Sequence, residues 1–219
     1  MNDPLYAIYG ASGCGRGIMP LARNRLTSLG TGAERLVFID DALKGTSVNG
    51  HAVLGYDDFL AADASCKYVA IAIARPAIRA QLAQRCSADG LELWSVQADN
   101  VVIMDAVTIG EGALLSPFVT ITSNVHIGKC FHANLYSYVE HDCQIGDFVT
   151  FAPGVKCNGN VVIENGAYIG AGAVIRQGAP GAPLVIGRGA TVGMGAIVTK
   201  NVRAGEVVVG NPARPIIKD

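Results

Sequence analysis

The sequence predicts a two-part chain: a small α/β domain over residues 1–98, followed by a parallel β-helix over residues 99–219. Two observations carry this. In the first half, short β-rich runs alternate with segments of helical spacing, the pattern of a small parallel sheet with helices on its faces. In the second half, a branched aliphatic or small apolar residue returns at every sixth position, a period that neither a helix nor a flat sheet requires.

In chain order, residues 4–10, "RLVFID" (35–40), "KYVAIAIA" (67–74) and "LELWSV" (91–96) read as buried strands. Between the first two, Ile18, Leu21, Ala22, Leu26 and Leu29 keep helical spacing and Gly30 is a plausible stop. Ile78, Leu82 and Cys86 do the same before Gly90, and "HAVLGYDDF" adds a short strand and a capped helical turn. The beat of six then runs Ile103, Ile109, Leu115, Ile121, Ile127, Ala133, Val139, Ile145, Phe151, Cys157, Ile163, Ile169 and Ile175. It pauses at "RQGAPGAP" and resumes at Ile186, Val192 and Val198. Four residues after each beat the side chain is nearly always small, with Phe131 the exception, and glycine often follows the beat directly. A triangular coil explains this: three hexads make an 18-residue turn, the aliphatic points inward, the small residue fills the corner, and glycine is expected to relax the bend.

Composition narrows the function. A net charge of -1 argues against nucleic acid as a main partner. Mean hydropathy is +0.34, yet no apolar run approaches the ~20 residues that span a bilayer. With no cationic segment before the first strand, the expectation is a cytoplasmic protein without membrane insertion. The six cysteines form no CxxC pair or zinc-ligand spacing, so free thiols are expected, with Cys143 and Cys157 packed inward on the repeat.

Three chemical features stand outside the repeat. In "SYVEHDCQIGD", His141 lies between Glu140 and Asp142, two places after the inward Val139. An 18-residue turn stacks it between Ser123 and Gly159, about 4.8 Å from each. A neighbouring carboxylate can fix one ring nitrogen and leave the other as a base, and Gly159 offers an unobstructed amide for an oxyanion. A solvated surface histidine is the bland alternative. In "YGASGCGRG", Gly10, Ser12, Gly13 and Gly15 open the first helix, where backbone amides can take a phosphate or simply allow tight packing. Asp40 and Asp41 in "FIDD" either read a ribose or cap a turn. His51 and His126 read as turn residues and His132 as structural, and the histidine spacing does not suit a three-histidine zinc site.

The hexad beat and the tail "VVVGNPARPIIKD" resemble the hexapeptide-repeat acyltransferases, which implies a left-handed parallel β-helix. "VEHDCQIGD" with "KCNGNV" resembles the subgroup that acetylates amino sugars on nucleotides, together with related sialic-acid O-acetyltransferases. "YGASGCG", "FIDD" and "AIARPAIR" extend the likeness to that subgroup's Rossmann-like N-terminal domain. The resemblance implies acetyl-CoA as co-substrate, no metal, and a homotrimer with sites between subunits. It implies His141 as general base, Asp142 as its orienting partner and Gly159 as the acetyl-binding amide. It places coenzyme A along Thr150, Gly170, Ala171, Ile186, Lys200 and Pro212. It places the nucleotide sugar along Gly10, Ser12, Gly13, Gly15, Asp40, Asp41, Ala74 and Arg75. Two departures matter: Thr150 stands where many relatives have histidine, and Ala74-Arg75-Pro76 replaces a Gly-Asp/Asn-Asn segment, which speaks against a uridine carrier. The expected reaction is direct acetylation of the 4-amino group of a nucleotide-linked 4-amino-4,6-dideoxyhexose, GDP-perosamine being the favoured case. Acetylation of a sugar hydroxyl and a non-catalytic nucleotide-sugar-binding scaffold are the alternatives.

Overall fold

The computed structural model describes residues 3–30 and 32–216; residues 217–219 of the closing "VVVGNPARPIIKD" and the first two residues lie outside that range. The described residues form two compact units, one drawn from residues 1–74, 78–97 and 112–114, the other from residues 75–77, 98–111 and 115–219.

In the first unit, strands β1 (Leu5–Tyr9), β2 (Leu36–Ile39), β3 (Ser47–Val48), β4 (His51–Leu54), β5 (Lys67–Ile71) and β6 (Glu92–Leu93) form one sheet in the order β3-β4-β2-β1-β5-β6. Every pairing is parallel except the β3–β4 hairpin. Helix α1 (Gly13–Ser28) buries Ile18, Met19, Ala22 and Leu26 in the same core as Ile8, Phe38 and Ala70. The short α2 (Tyr56–Ala61) starts at Gly55, whose amide Asp58 caps, and α3 (Pro76–Ala88) follows β5. This Rossmann-like arrangement bears out the strand–helix reading. The expected strand at 91–96 is divided: only Glu92–Leu93 joins this sheet, and Val96 donates to the Ala113 carbonyl instead. His51 is not a turn residue. Strand alternation in β4 sends His51 and Val53 inward, and His51 Nδ1 lies 3.2 Å from the Leu36 carbonyl oxygen.

The second unit is the parallel β-helix. On one face, Thr120 pairs with Tyr138 and Tyr138 with Lys156; on another, His126 pairs with Gln144 and Gln144 with Val162, each a step of 18. After "RQGAPGAP" the step is 23, since Val162 pairs with Val185 and Val174 with Ile197, so the insertion loops out without breaking the ladders. The beat residues from Leu115 to Val198 and most of the residues four places on fill one continuous core, while Ala179, in the insertion, is exposed. Phe131 joins it, packing edge-on against Phe151 with centroids 5.2 Å apart. Ile103 and Ile109, at the open start of the coil, are only partly covered.

The corners differ from expectation in an instructive way. The glycines that follow the beat do not make the bend. A Cβ on Gly110 would lie 2.6 Å from Lys129 N, and one on Gly170 2.6 Å from Met194 N. These glycines let successive coils approach. The bend falls three residues after the beat, at Ala106, Gly112, Phe118, Asn124, Cys130, Tyr136, Asp142, Phe148, Gly154, Asn160, Gly166 and Gly172, all left-handed with φ between 51° and 72°. His126, expected in a turn, is a strand residue on an outer face, its Nδ1 2.8 Å from the Thr108 hydroxyl.

Candidate active site

Asp142 is one of the left-handed corner residues (φ 58°), a conformation that Asp and Asn tolerate better than other non-glycine residues. Asn124 and Asn160 take the same corner one coil before and one coil after. The bend places the Asp142 carboxylate beside its neighbour: Oδ2 lies 2.7 Å from His141 Nδ1, and Oδ1 accepts from Asn124 Nδ2 at 3.3 Å. The His141 ring lies over Gly159, where a Cβ would stand 2.5 Å from Cε1 and 2.6 Å from Nε2. A side chain at residue 159 would therefore displace the imidazole. With Nδ1 engaged, Nε2 is the nitrogen left for proton transfer. The hydrogen bond that His141 donates to Asp142 raises the His141 pKa above its usual value, and the charges of Asp142 and Glu140 act in the same direction.

Glu140 has its own task. Its Oε2 accepts a hydrogen bond of 3.2 Å from Gly159 N, the amide expected to bind an acetyl oxygen. A thioester carbonyl can take that donor only by displacing the carboxylate. Cys143 is fully buried and directs its Sγ to the Asn158 carbonyl at 3.3 Å, and the Cys157 thiol is pushed well up by its hydrogen bond with Cys143 and by burial. Neither thiol is placed as a nucleophile.

The remaining expected residues divide. Lys200 is exposed and lines a cavity of about 680 Å³ with Asn158, Arg176, Gln177 and Asn201, and Ala171 and Pro212 are exposed. The Thr150 side chain is 1% exposed on a strand between His132 and Tyr168, and Ile186 is wholly within the core, so neither side chain can line a coenzyme groove as expected. Ile186 is an inward beat residue, whereas Thr150, next to the inward Phe151, is buried on the other face of its strand. In the first unit, Gly10 (φ 104°) and Gly15 are tied by packing, since a Cβ on Gly15 would collide with the Gly10 carbonyl oxygen. Ser12 and Gly13 are exposed at the start of α1, and the Ser12 side chain makes no cap. Asp40 accepts from Ala11 N at 3.1 Å and Ala42 N at 3.2 Å, and Asp41 from Tyr56 N at 2.8 Å, so both carboxylates serve turns and caps. Ala74 and Arg75 are exposed after β5. The sequence reading missed Arg79, fully buried and donating to the Ile73 and Ala74 carbonyls at 2.7 and 3.1 Å. It thereby shapes the Ala74-Arg75-Pro76 turn. Its place three residues after Pro76 on a helix face was the available signal. Among the described residues, no group of three or more His, Cys, Asp or Glu could hold a metal, and no helix is long and apolar enough to cross a membrane.

Residues 6–86 match the PglD N-terminal domain family. The chain is 53% identical over 181 residues to GDP-perosamine N-acetyltransferase of Escherichia coli O157:H7, covering 83% of this chain and 82% of that protein. The chain belongs to the acetyl-CoA-dependent nucleotide-sugar N-acetyltransferases. Among solved structures, WeeI from Acinetobacter baumannii AYE is similar with a TM-score of 0.95 and 56% identity, covering 97% of this chain and 100% of that one. The acetyltransferase domain of PglB from Neisseria gonorrhoeae FA1090, in complex with acetyl coenzyme A, is similar with a TM-score of 0.84 and 29% identity, covering 99% and 100%. The resemblance read from the hexads and from "VEHDCQIGD" thus holds at the level of family and fold.

Proposed function

We propose that this chain transfers the acetyl group of acetyl-CoA to the 4-amino group of a GDP-linked 4-amino-4,6-dideoxyhexose, GDP-perosamine, with His141 as general base. The observation that carries the proposal is the His141 ring, held through Nδ1 by Asp142 at 2.7 Å and seated over Gly159. The 53% identity to an enzyme named for that reaction supports the substrate class.

In this reading His141 Nε2 accepts the proton that the amine loses as its nitrogen bonds to the thioester carbon. Gly159 N–H, released by Glu140, polarises the carbonyl oxygen and holds the negative charge that develops there. When the carbon–sulfur bond breaks, His141 returns its proton to the departing thiolate. No side chain is acylated, consistent with the burial of Cys143. The cationic and amide groups of Arg176, Lys200, Asn158 and Gln177, in a cavity beginning one residue from Gly159, suit the phosphates and amides of coenzyme A. Gly170, Ala171 and Pro212 stay in the proposed groove as backbone or surface contacts; Thr150 and Ile186 could contribute only through backbone atoms. Residues 1–98 would hold the nucleotide, with Gly10, Ser12, Gly13 and Gly15 as amide donors and Asp40, Asp41, Ala74 and Arg75 around them. The His141 and Asp142 side chains are 49% and 48% exposed, which a second subunit would wall off, and a homotrimer in the cytoplasm is the proposed form.

The test is thiol release from acetyl-CoA with a panel of nucleotide amino sugars. His141→Asn should lower kcat by about 10²–10⁴-fold while the protein stays folded. Full activity in that variant would remove His141 from the mechanism, and an acyl-enzyme burst in rapid-quench kinetics would exclude direct transfer.

A further inference from the structure

Two buried thiols take no part in the proposed mechanism, yet their places in the repeat are particular. One corner of successive coils is lined by Val107, Val125, Cys143, Val161 and Leu184. The inward beat on the face before it reads Ile103, Ile121, Val139, Cys157, Ile175 and Val198. Each column is otherwise branched aliphatic. Each turns to cysteine once, at Cys143 two residues from His141 and at Cys157 two residues from Gly159. Packing does not ask for this, because a thiol buries less apolar surface than valine or isoleucine and carries a proton donor into the core.

The Cys143 thiol has a polar use. Its Sγ, fully buried, lies 3.3 Å from the Asn158 carbonyl oxygen and 3.6 Å from that of His141. The His141 carbonyl already accepts from Asn160 N at 3.0 Å, so the thiol proton serves the nearer oxygen. Cys157 stands behind, its thiol hydrogen-bonded to Cys143 and its Sγ 3.8 Å from the same Asn158 oxygen. The carbonyl so engaged belongs to the peptide unit whose N–H is that of Gly159. Separate bonds anchor the Asn158 side chain: Oδ1 accepts from the Tyr138 hydroxyl at 2.8 Å, and Nδ2 donates to the Ile175 carbonyl at 2.9 Å.

We propose that Cys143 is a positioning residue for acetyl transfer, whose thiol holds and polarises the Asn158–Gly159 peptide so that Gly159 N–H is a stronger donor to the thioester oxygen. The inference rests on the proposed activity and adds a residue that acts through the amide rather than on the substrate. A donor on a peptide oxygen draws electron density from the nitrogen, and hydrogen bonds in series strengthen one another by about 10–30% each. An S–H group is a weak donor, but in a dry core no water competes with it. Removing a whole oxyanion donor costs about 10²–10³-fold in kcat, so weakening one by that fraction costs about two- to eightfold. Glu140 and the thioester oxygen compete for the same N–H, so the effect largely cancels in acetyl-CoA binding and is read in kcat.

The experiment compares wild type, Cys143→Val, Cys143→Ser and the double variant Cys143→Val/Cys157→Val. It measures steady-state kinetics with acetyl-CoA and GDP-perosamine, the thermal midpoint, and the infrared stretch of acetyl-CoA labelled at its carbonyl carbon and bound without acceptor. The valine variants make this coil like its neighbours, so their midpoints should equal or exceed the wild type. Cys143→Val should lower kcat about threefold and the double variant, which also removes the second thiol, about fivefold, with both KM values unchanged. Cys143→Ser keeps a donor, so it should hold kcat within about twofold of wild type although its midpoint drops. The bound carbonyl should shift to lower frequency in wild type and Cys143→Ser, and less in the two valine variants. Wild-type kcat in the double variant, or equal loss in Cys143→Ser and Cys143→Val, would overturn the proposal in favour of packing alone. Should a valine variant fail to fold, Cys143→Ala against Cys143→Ser decides by the same order. A wild-type protein that releases thiol but shows no carbonyl shift would overturn the proposal by removing the Gly159 amide from the acetyl group. Absence of thiol release with every nucleotide amino sugar would instead overturn the activity itself.

Discussion

At the scale of single residues, Asp142 does two things with one conformation: it turns the chain through a corner and presents its carboxylate to His141. The consequence appears in the pH profile. A base must be neutral to act, and Asp142 raises the pKa of His141, so activity should fall away on the acid side at a higher pH than an unperturbed histidine would set. Asp142→Asn removes the largest cause of that rise, so the acid limb of kcat/KM should move to lower pH while kcat itself drops, because the ring loses its fixed tautomer. An unchanged limb would mean that another group sets it. The same raised pKa means that the pair favours the folded state most below the unfolded histidine's pKa, and that this contribution fades as pH rises through the folded value. Gly159→Ala is a sharper probe. Its Cβ would stand 2.5 Å from His141 Cε1 without requiring left-handed backbone, so kcat should fall by about 10²-fold or more, from a misplaced ring, with little change in thermal midpoint.

At the scale of the repeat, two kinds of glycine carry different burdens, and substitution should separate them. Gly170→Ala drives a methyl toward Met194 N and should cost about 1–3 kcal/mol, read as a lower midpoint in denaturant. Gly172 is left-handed (φ 68°), a Cβ there would meet nothing within 4 Å, and Asn takes the equivalent bend at Asn124 and Asn160. Gly172→Asn should therefore be nearly neutral, whereas Gly172→Val should cost about 1–2 kcal/mol. The inward beat was legible because burial demands the same chemistry in every coil, and Ile121, Ile163 and Ile175 all lie fully buried as the period requires. The bend was misassigned because several residue types fill it; Phe118, Asn124, Cys130 and Gly112 share a backbone conformation but no side-chain property. Thr150 and Ile186 show a related limit: spacing gives a residue's position along the repeat, but not which of its atoms remain at the surface.

At the scale of the molecule, the thiols give an overall check. Cys14 and Cys66 are partly exposed, while Cys86, Cys130, Cys143 and Cys157 are buried. A thiol reagent should label the first two in the native protein and the other four only on unfolding, without loss of activity tied to Cys143; rapid labelling of Cys143 with inactivation would reopen a covalent route. Sedimentation should give about three times the 22.7 kDa of one chain if the half-exposed His141 site is walled by a neighbour. Residue order alone carries the two-part architecture, the family, and the candidacy of His141, Asp142 and Gly159, because periodic burial and an 18-residue coil convert spacing into position. How those atoms are engaged emerges only with the folded chain. That Asp142 rather than Glu140 takes His141 Nδ1, that Glu140 occupies the Gly159 amide, and that Asp40 and Asp41 cap turns depends on side-chain directions over a few ångströms. Hydrogen bonds discriminate at that distance, and a pattern of residue types along the chain does not.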